Sequence, residues 1–233
     1  MMPVARKPAP TAPALDTCIE VYRKQAKAES IETVWKRFRA SACGKSWFDE
    51  LQRAYGHRCL YCDHAEGSSI DHRDAKSTSV ERALAWKNFR PSCLGCNHRK
   101  GTMVIVDPVS EDPRLFIQYD VTTGKPAPRS TASPARRRKA TLTIRLLDCQ
   151  TLNDARRAKR QKVERALAGF VLGEKGYDAA HVLAELTAQE PHRAIVRDLI
   201  LDAEAGLHRS SPLVRDAMQK LPTLKTWALQ PAT

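Results

Sequence analysis

The chain has 233 residues, 42% hydrophobic and 28% charged, which suits one substantial core or a core with helical additions. It contains no run of about 18 apolar residues, and this excludes a helical membrane span. The 39 Lys and Arg against 26 Asp and Glu give a net charge of +13, which favours a polyanionic partner, nucleic acid ahead of an anionic membrane surface.

The first residues, MMPVARKPAPTAPALD, carry two early cations but no apolar stretch of about 7 to 15 residues. A secretory leader is therefore not expected, and the cytoplasm is. Residues 1–14, rich in Pro and Ala, read as a flexible arm, and residues 15–57 as a helical lead-in. Within it, Ile19, Tyr22, Ile31, Val34, Trp35 and Phe38 recur at helical spacing, followed by Trp47, Phe48, Leu51 and Tyr55 with Gly56 as a stop. From Cys59 to Gly101 the text turns to cysteine, histidine and turn residues. Val104 to Tyr119 reads as loop and short strand, and 126–140 as a basic Pro/Ser-rich loop. Thr141–Leu147 alternates like a strand, and Asn153 opens a cationic helix. The remainder of 141–233, including AAHVLAELTAQ and HRAIVRDLILDAEAG, reads as helical.

Seven cysteines in a reducing compartment have to be explained by their spacing. Cys59 and Cys62 form one CxxC and Cys93 and Cys96 a second, 30 residues on. Two such knuckles supply the four thiolates of a closed tetrahedral zinc site, which is structural because no coordination position stays open. A redox dithiol would need a thioredoxin-like βαβ setting that CLYC and CLGC lack. Cys18, Cys43 and Cys149 are read as unpaired.

Between the knuckles stand Ser69-Ile70-Asp71-His72 and Trp86-Lys87-Asn88, and straight after the second come Asn97-His98-Arg99-Lys100. This combination, over about 43 residues, resembles the HNH nucleases with a ββα-metal fold and a four-cysteine zinc site. The resemblance implies an α+β chain: a small HNH core at 58–125, flanked by mostly α-helical N- and C-terminal regions. Hydrolysis of a phosphodiester needs a base, a cation for the developing charge, and cations to hold the backbone. His72 is the expected general base. The resemblance assigns Asp71 and Asn97 to a catalytic divalent ion, with His98 an alternative to Asn97, and Asn88 to orienting His72. Oxygen donors suit Mg²⁺ or Mn²⁺. It implies 5′-phosphate and 3′-hydroxyl products. Adjacent residues of a strand face opposite ways, so Asp71 and His72 converge only where the strand ends or bulges.

Lys100, Arg73 and Arg99 are candidate phosphate contacts. So are Arg156, Arg157 and Arg160, in a segment, 129–165, whose net charge is +9. FDELQRAYGHRCLYC, VDPVSEDPRLFIQYD and LNDARRAKR are more loosely similar to the HNH nucleases of Septu-type anti-phage systems, found also beside retrons. That similarity implies an SMC-like or ABC-type ATPase as partner; no G-x-x-x-x-G-K-[ST] occurs here, so any ATP hydrolysis is expected from the partner. The other reading is a non-catalytic zinc-containing DNA-binding or adaptor protein.

Overall fold

The computed structural model describes the chain except residues 2–3, 11–12, 27, 65, 76, 78, 187–191, 208–210 and 230–233, and without the side chains of 13–15 and 211. Parts of the expected arm and the end of the helix expected over AAHVLAELTAQ lie outside the described residues. The chain divides into two compact units, Arg6–Val104 and a second formed by Met1–Ala5 with Ile105–Thr233.

The first, the cysteine unit, opens with helices α1 (Pro13–Gln25), α2 (Ile31–Ala40) and α3 (Ala42–Tyr55). Ser30 caps α2 by accepting the Thr33 N–H, and Gly56, at φ 70°, ends α3 in the left-handed conformation. Strand β1 (Ser69–His72) pairs antiparallel with β2 (Phe89–Ser92), with Asp71 opposite Arg90 and His72 opposite Phe89. Between them lie a short helix α4 (Val80–Ala83) and a 3₁₀ turn (Trp86–Asn88), and α5 (Leu94–Lys100) follows β2. The apolar positions read at helical spacing converge: Ile19, Trp35, Phe38, Trp47, Leu51, Leu84 and Phe89 form one buried cluster. It fastens the three helices to the β1–β2 ribbon, which alone would be marginal.

The second, helical unit contains β3 (Ile117–Tyr119) paired with β4 (Pro126–Pro128), then α6 (Pro134–Leu147), α7 (Gln150–Leu172), α8 (Ala179–Glu185), α9 (Arg193–Glu204), α10 (Ser211–Lys220) and α11 (Thr223–Leu229). Helix α9 is buried on nearly every side through Ile195, Val196, Leu199 and Ile200, and packs against α7, α10, α11 and β3. Both units together are α+β: helices with two small two-stranded sheets. Among the described residues, no helix is long and apolar enough to cross a membrane.

Several expectations are corrected. Where a flexible arm is expected, Met1 is 4% exposed, its ammonium donates to the Tyr119 hydroxyl, and α1 already starts at Pro13. The boundary between the units, after Val104, divides the stretch 58–125 expected to be one core: Val106, Phe116, Ile117 and Tyr119 are buried in the helical unit. Thr141–Leu147 is helix, and so is the end of the expected loop. Ser133 caps the Arg136 N–H, Pro134 sits in the first turn, and Ala140, Thr143, Leu146 and Leu147 are buried at i, i+3, i+6 and i+7. Cys18 and Cys43 are not unpaired but form a disulfide between α1 and α3.

Candidate functional site

The cysteine cluster grows from two tight turns. The first knuckle follows α3 and uses left-handed backbone at His57 and Asp63; the Leu60 N–H donates to the Pro91 carbonyl, tying it to β2. In the second, Cys93 is the N-cap of α5, and its sulfur accepts the Cys96 N–H at 3.4 Å. The four sulfurs lie within 4.8 Å of one another, with Cys62 and Cys93 at 4.0 Å, and three of the four residues are buried. Tetrahedral zinc at about 2.3 Å from each sulfur would hold them about 3.8 Å apart. The donor set is all sulfur and fits a soft or borderline ion such as zinc. The Cys59 hydrogen bond, aided by Cys96, pulls the Cys93 thiol down to about 6, whereas bonds within the cluster push Cys59 and Cys96 up. Four thiolates therefore cannot coexist here without a cation to neutralise them.

On the other flank of β1 lies a cavity of about 360 Å³ bordered by Trp35, Arg39, Asp71, His72 and Asn97. Strand β1 ends at His72, and this is what lets two neighbours with opposite facing border one space. The His72 ring is 4.5 Å from the Trp35 ring and 5.4 Å from that of Phe89, both edge-on. Its Nε2 faces the Ala83 carbonyl at 2.9 Å, which requires the proton on Nε2 in the neutral ring and leaves the basic lone pair on Nδ1.

Asp71 turns the other way. Its Oδ2 accepts the Tyr61 hydroxyl at 2.5 Å, and the Lys100 ammonium lies 3.1 Å from Oδ2 and 3.3 Å from Oδ1. Burial pushes the Asp71 carboxyl above the usual carboxylate range, against the lowering by Lys100 and Tyr61. Asn97 donates through Nδ2 to Ser69 Oγ and to the Ile70 carbonyl, both at 3.1 Å, while its Oδ1 has no hydrogen bond among the described residues. The His72 backbone N–H also donates to the Asp71 carboxyl, and with Tyr61 and the two Lys100 contacts it takes up the roughly four lone-pair positions that a carboxylate offers. The Asn97 oxygen on the same cavity is a hard donor, but a divalent ion shared with Asp71 would have to displace one of these partners. His98 is exposed and does not border the cavity.

Other expected residues stand elsewhere. Asn88 does not touch His72: its Oδ1 accepts the Asp74 N–H, and its Nδ2 donates to the carbonyls of Asp74 and Arg82. It acts one step removed, holding the backbone next to the Ala83 carbonyl that meets His72. Lys100 is no phosphate contact. It is 3% exposed, and its ammonium also donates to the His72 carbonyl at 2.7 Å. Three residues after Asn97, it shares a helix face that packs on β1 instead of facing solvent. Arg73 pairs with Asp74, and Arg99 is exposed with its Nε on the Gly95 carbonyl.

In the helical unit, Arg156 is 2% exposed and donates to the Gly124 and Leu147 carbonyls and to Asn153, with its guanidinium over the Tyr119 ring. Gly124 has φ 74°, and a Cβ there would lie 2.4 Å from the Asn153 carbonyl oxygen, so this seat needs glycine. Arg160 faces Glu164 and Arg157 pairs with Asp154. Five of the six expected DNA contacts, Lys100, Arg73, Arg156, Arg157 and Arg160, are thus buried or paired. Tyr61, Arg39 and the Ala83 carbonyl were not singled out in the sequence, where nothing local marks them.

No family model, curated protein or solved structure matches the chain.

Proposed function

We propose that the cysteine unit is an HNH-type endonuclease that hydrolyses DNA phosphodiester bonds, its small ββα core being β1, β2 and α5. The observation that carries the reading is the shared cavity: His72, Asp71 and Asn97, drawn from the end of β1 and the first turns of α5, border one space beside a four-cysteine cluster. Zinc held by Cys59, Cys62, Cys93 and Cys96 would lock α5 against the ribbon, contributing on the order of 10 kcal/mol to folding.

His72 takes the proton of the attacking water at Nδ1 as the water oxygen bonds to phosphorus and the P–O3′ bond breaks, the departing 3′-oxygen taking a proton from solvent water. Ala83 keeps the ring in that tautomer, and Trp35 and Phe89 keep it in place. A divalent Mg²⁺ or Mn²⁺ held by Asn97 and by Asp71, in place of one of the carboxylate's present partners, would neutralise charge developing on the phosphate oxygens. Lys100 favours the charged form of the Asp71 carboxyl, against the burial that raises it.

The looser resemblance to Septu-type nucleases supports a defence setting with an ATPase partner. The buried Asp71–Lys100 pair favours one alternative, a zinc-bearing adaptor whose HNH remnant is structural. Supercoiled-plasmid cleavage with Mg²⁺ or Mn²⁺ separates the two. Wild type should nick or linearise the plasmid and His72→Ala, at equal zinc content, should not. Cleavage by the variant removes His72 as base, and an inert wild type, with its ATPase present, leaves the adaptor.

A further inference from the structure

With Lys100 buried, a phosphate in the cavity lacks the cation expected to hold it, and one from α2 borders the space instead. Arg39 lies in the last turn of α2, is exposed, and makes no hydrogen bond or ion pair among the described residues. The cavity it shares with His72 adjoins a second of about 150 Å³, walled by Arg39, Lys45, Phe48, Ser69 and Ile70. Arg39 and Ile70 border both. Lys45 is likewise exposed, and its ammonium has no partner among the described residues.

The two cations are held close by a tight corner. Ser41 is at once the C-cap of α2 and the N-cap of α3: its N–H meets the Arg37 and Phe38 carbonyls, and its Oγ accepts the Gly44 N–H. A Cβ on Gly44 would lie 2.0 Å from the Phe38 oxygen, so only glycine lets the helices approach this closely. The floor of both cavities is β1 itself, whose four residues from Ser69 to His72 span about 10 Å at about 3.3 Å each. Nucleotides stacked along one strand rise about 3.4 Å each, so this floor accommodates roughly two to three of them.

We propose that Arg39 and Lys45 form a phosphodiester track, Arg39 holding the phosphate that His72 addresses and Lys45 the backbone next to it. The track rests on the nuclease reading for the role of His72, but not for binding itself. Guanidinium can engage a phosphate through two parallel N–H donors, while Lys45 acts as a point charge. The ligand class is a nucleic-acid strand, single or within a duplex, bound through its backbone and without base readout.

Fluorescence anisotropy with labelled single-stranded and duplex oligonucleotides tests this in the His72→Ala background, at matched zinc content and thermal midpoint. Arg39→Gln and Lys45→Gln should each weaken binding about tenfold near 0.1 M salt and lower the log–log salt slope by about one. Arg39→Lys should restore the slope. Unchanged affinity and slope in Arg39→Gln/Lys45→Gln, or no binding by the parent, overturns the track. If wild type fails to cut plasmid while these variants lose binding, the nuclease reading falls and the track stands. If wild type cuts and the variants bind normally, the reverse holds.

Discussion

The Lys100 ammonium lies 3.1 Å from a carboxylate oxygen of Asp71, and neither side chain is more than 5% exposed. One is at the end of α5 and the other in β1, so the pair clamps the second knuckle's helix to the ribbon. Removing one partner leaves the other charge buried and uncompensated. Asp71→Asn and Lys100→Met should each cost about 3–5 kcal/mol, and Asp71→Asn/Lys100→Met less than their sum. Urea unfolding at equal zinc content measures the cycle; additive losses would mean that the two charges do not interact.

The same pair has a pH signature. Burial pushes the Asp71 carboxyl above its value in the unfolded chain, although Lys100 and Tyr61 oppose the shift. Between the two values the folded state binds the extra proton, so this group's contribution to stability falls as pH rises from about 4 through the raised value. Asp71→Asn should flatten that part of the stability–pH curve. A variant curve with the wild-type slope would assign the slope to other carboxyls.

Metal removal should act on one thiol first. With Cys93 lowered to about 6 and only half-buried, a metal-stripped chain exposes a thiolate at neutral pH, while Cys59 and Cys96 stay protonated. Iodoacetamide should modify Cys93 before the other three, with a rate that rises through about pH 6, and bound zinc should suppress the reaction. Cys93→Ser should lose zinc and the cooperative unfolding of the cysteine unit together. Equal labelling of all four cysteines would contradict the asymmetry.

The cysteine cluster could be read from sequence because a CxxC spacing is itself a local geometry, and two of them leave few alternatives. The α2 and α3 core could be read for the same reason, through Trp35, Phe38, Trp47 and Leu51. Lys100 could not: its place on the Asn97 face was plain, but which side of that face met β1 depends on tertiary packing. The strand expected at Thr141–Leu147 is helix because the cap at Ser133 and the burial of Ala140, both outside those seven residues, set the period there. Arg156 looked like a surface cation because its carbonyl partner Gly124 lies 32 residues away.

Arg156 supports a sharp contrast with the basic helix before it. Arg156→Met removes a guanidinium with three hydrogen-bonded partners and a ring beneath it, and should cost on the order of 3 kcal/mol by orphaning the Gly124 and Leu147 carbonyls. DNA affinity and its salt slope should not change. Helix α6 carries Arg136, Arg137, Arg138, Lys139 and Arg145 and no acid, and Arg138 and Arg145 are exposed seven residues apart on one face. If the helical unit touches DNA, Arg138→Gln/Arg145→Gln should lower the salt slope by about two with little loss of stability. The opposite pattern, a slope change in Arg156→Met alone, would return Arg156 to the interface.

The Cys18–Cys43 disulfide closes a separation of 25 residues and joins α1 to α3, the two helices that carry Ile19, Trp47 and Leu51 into the buried cluster. Cross-linking a loop of that length restricts the unfolded chain by about 3 kcal/mol. It also stands in a unit whose other cysteines must be reduced to hold metal, so the two sulfur chemistries should separate under a mild reductant. Dithiothreitol should lower the thermal midpoint of the cysteine unit while leaving its zinc content intact, and Cys18→Ala/Cys43→Ala should show the lower midpoint without reductant and no further response to it. Because α1 meets His72 through intermediaries, among them Trp35, Phe38, Phe89 and Leu84, cleavage at temperatures well below the midpoint should survive reduction. A reductant that left the midpoint of wild type unmoved would mean that the bridge adds nothing to the fold, and loss of cleavage with zinc retained would mean that α1 governs the position of His72 directly.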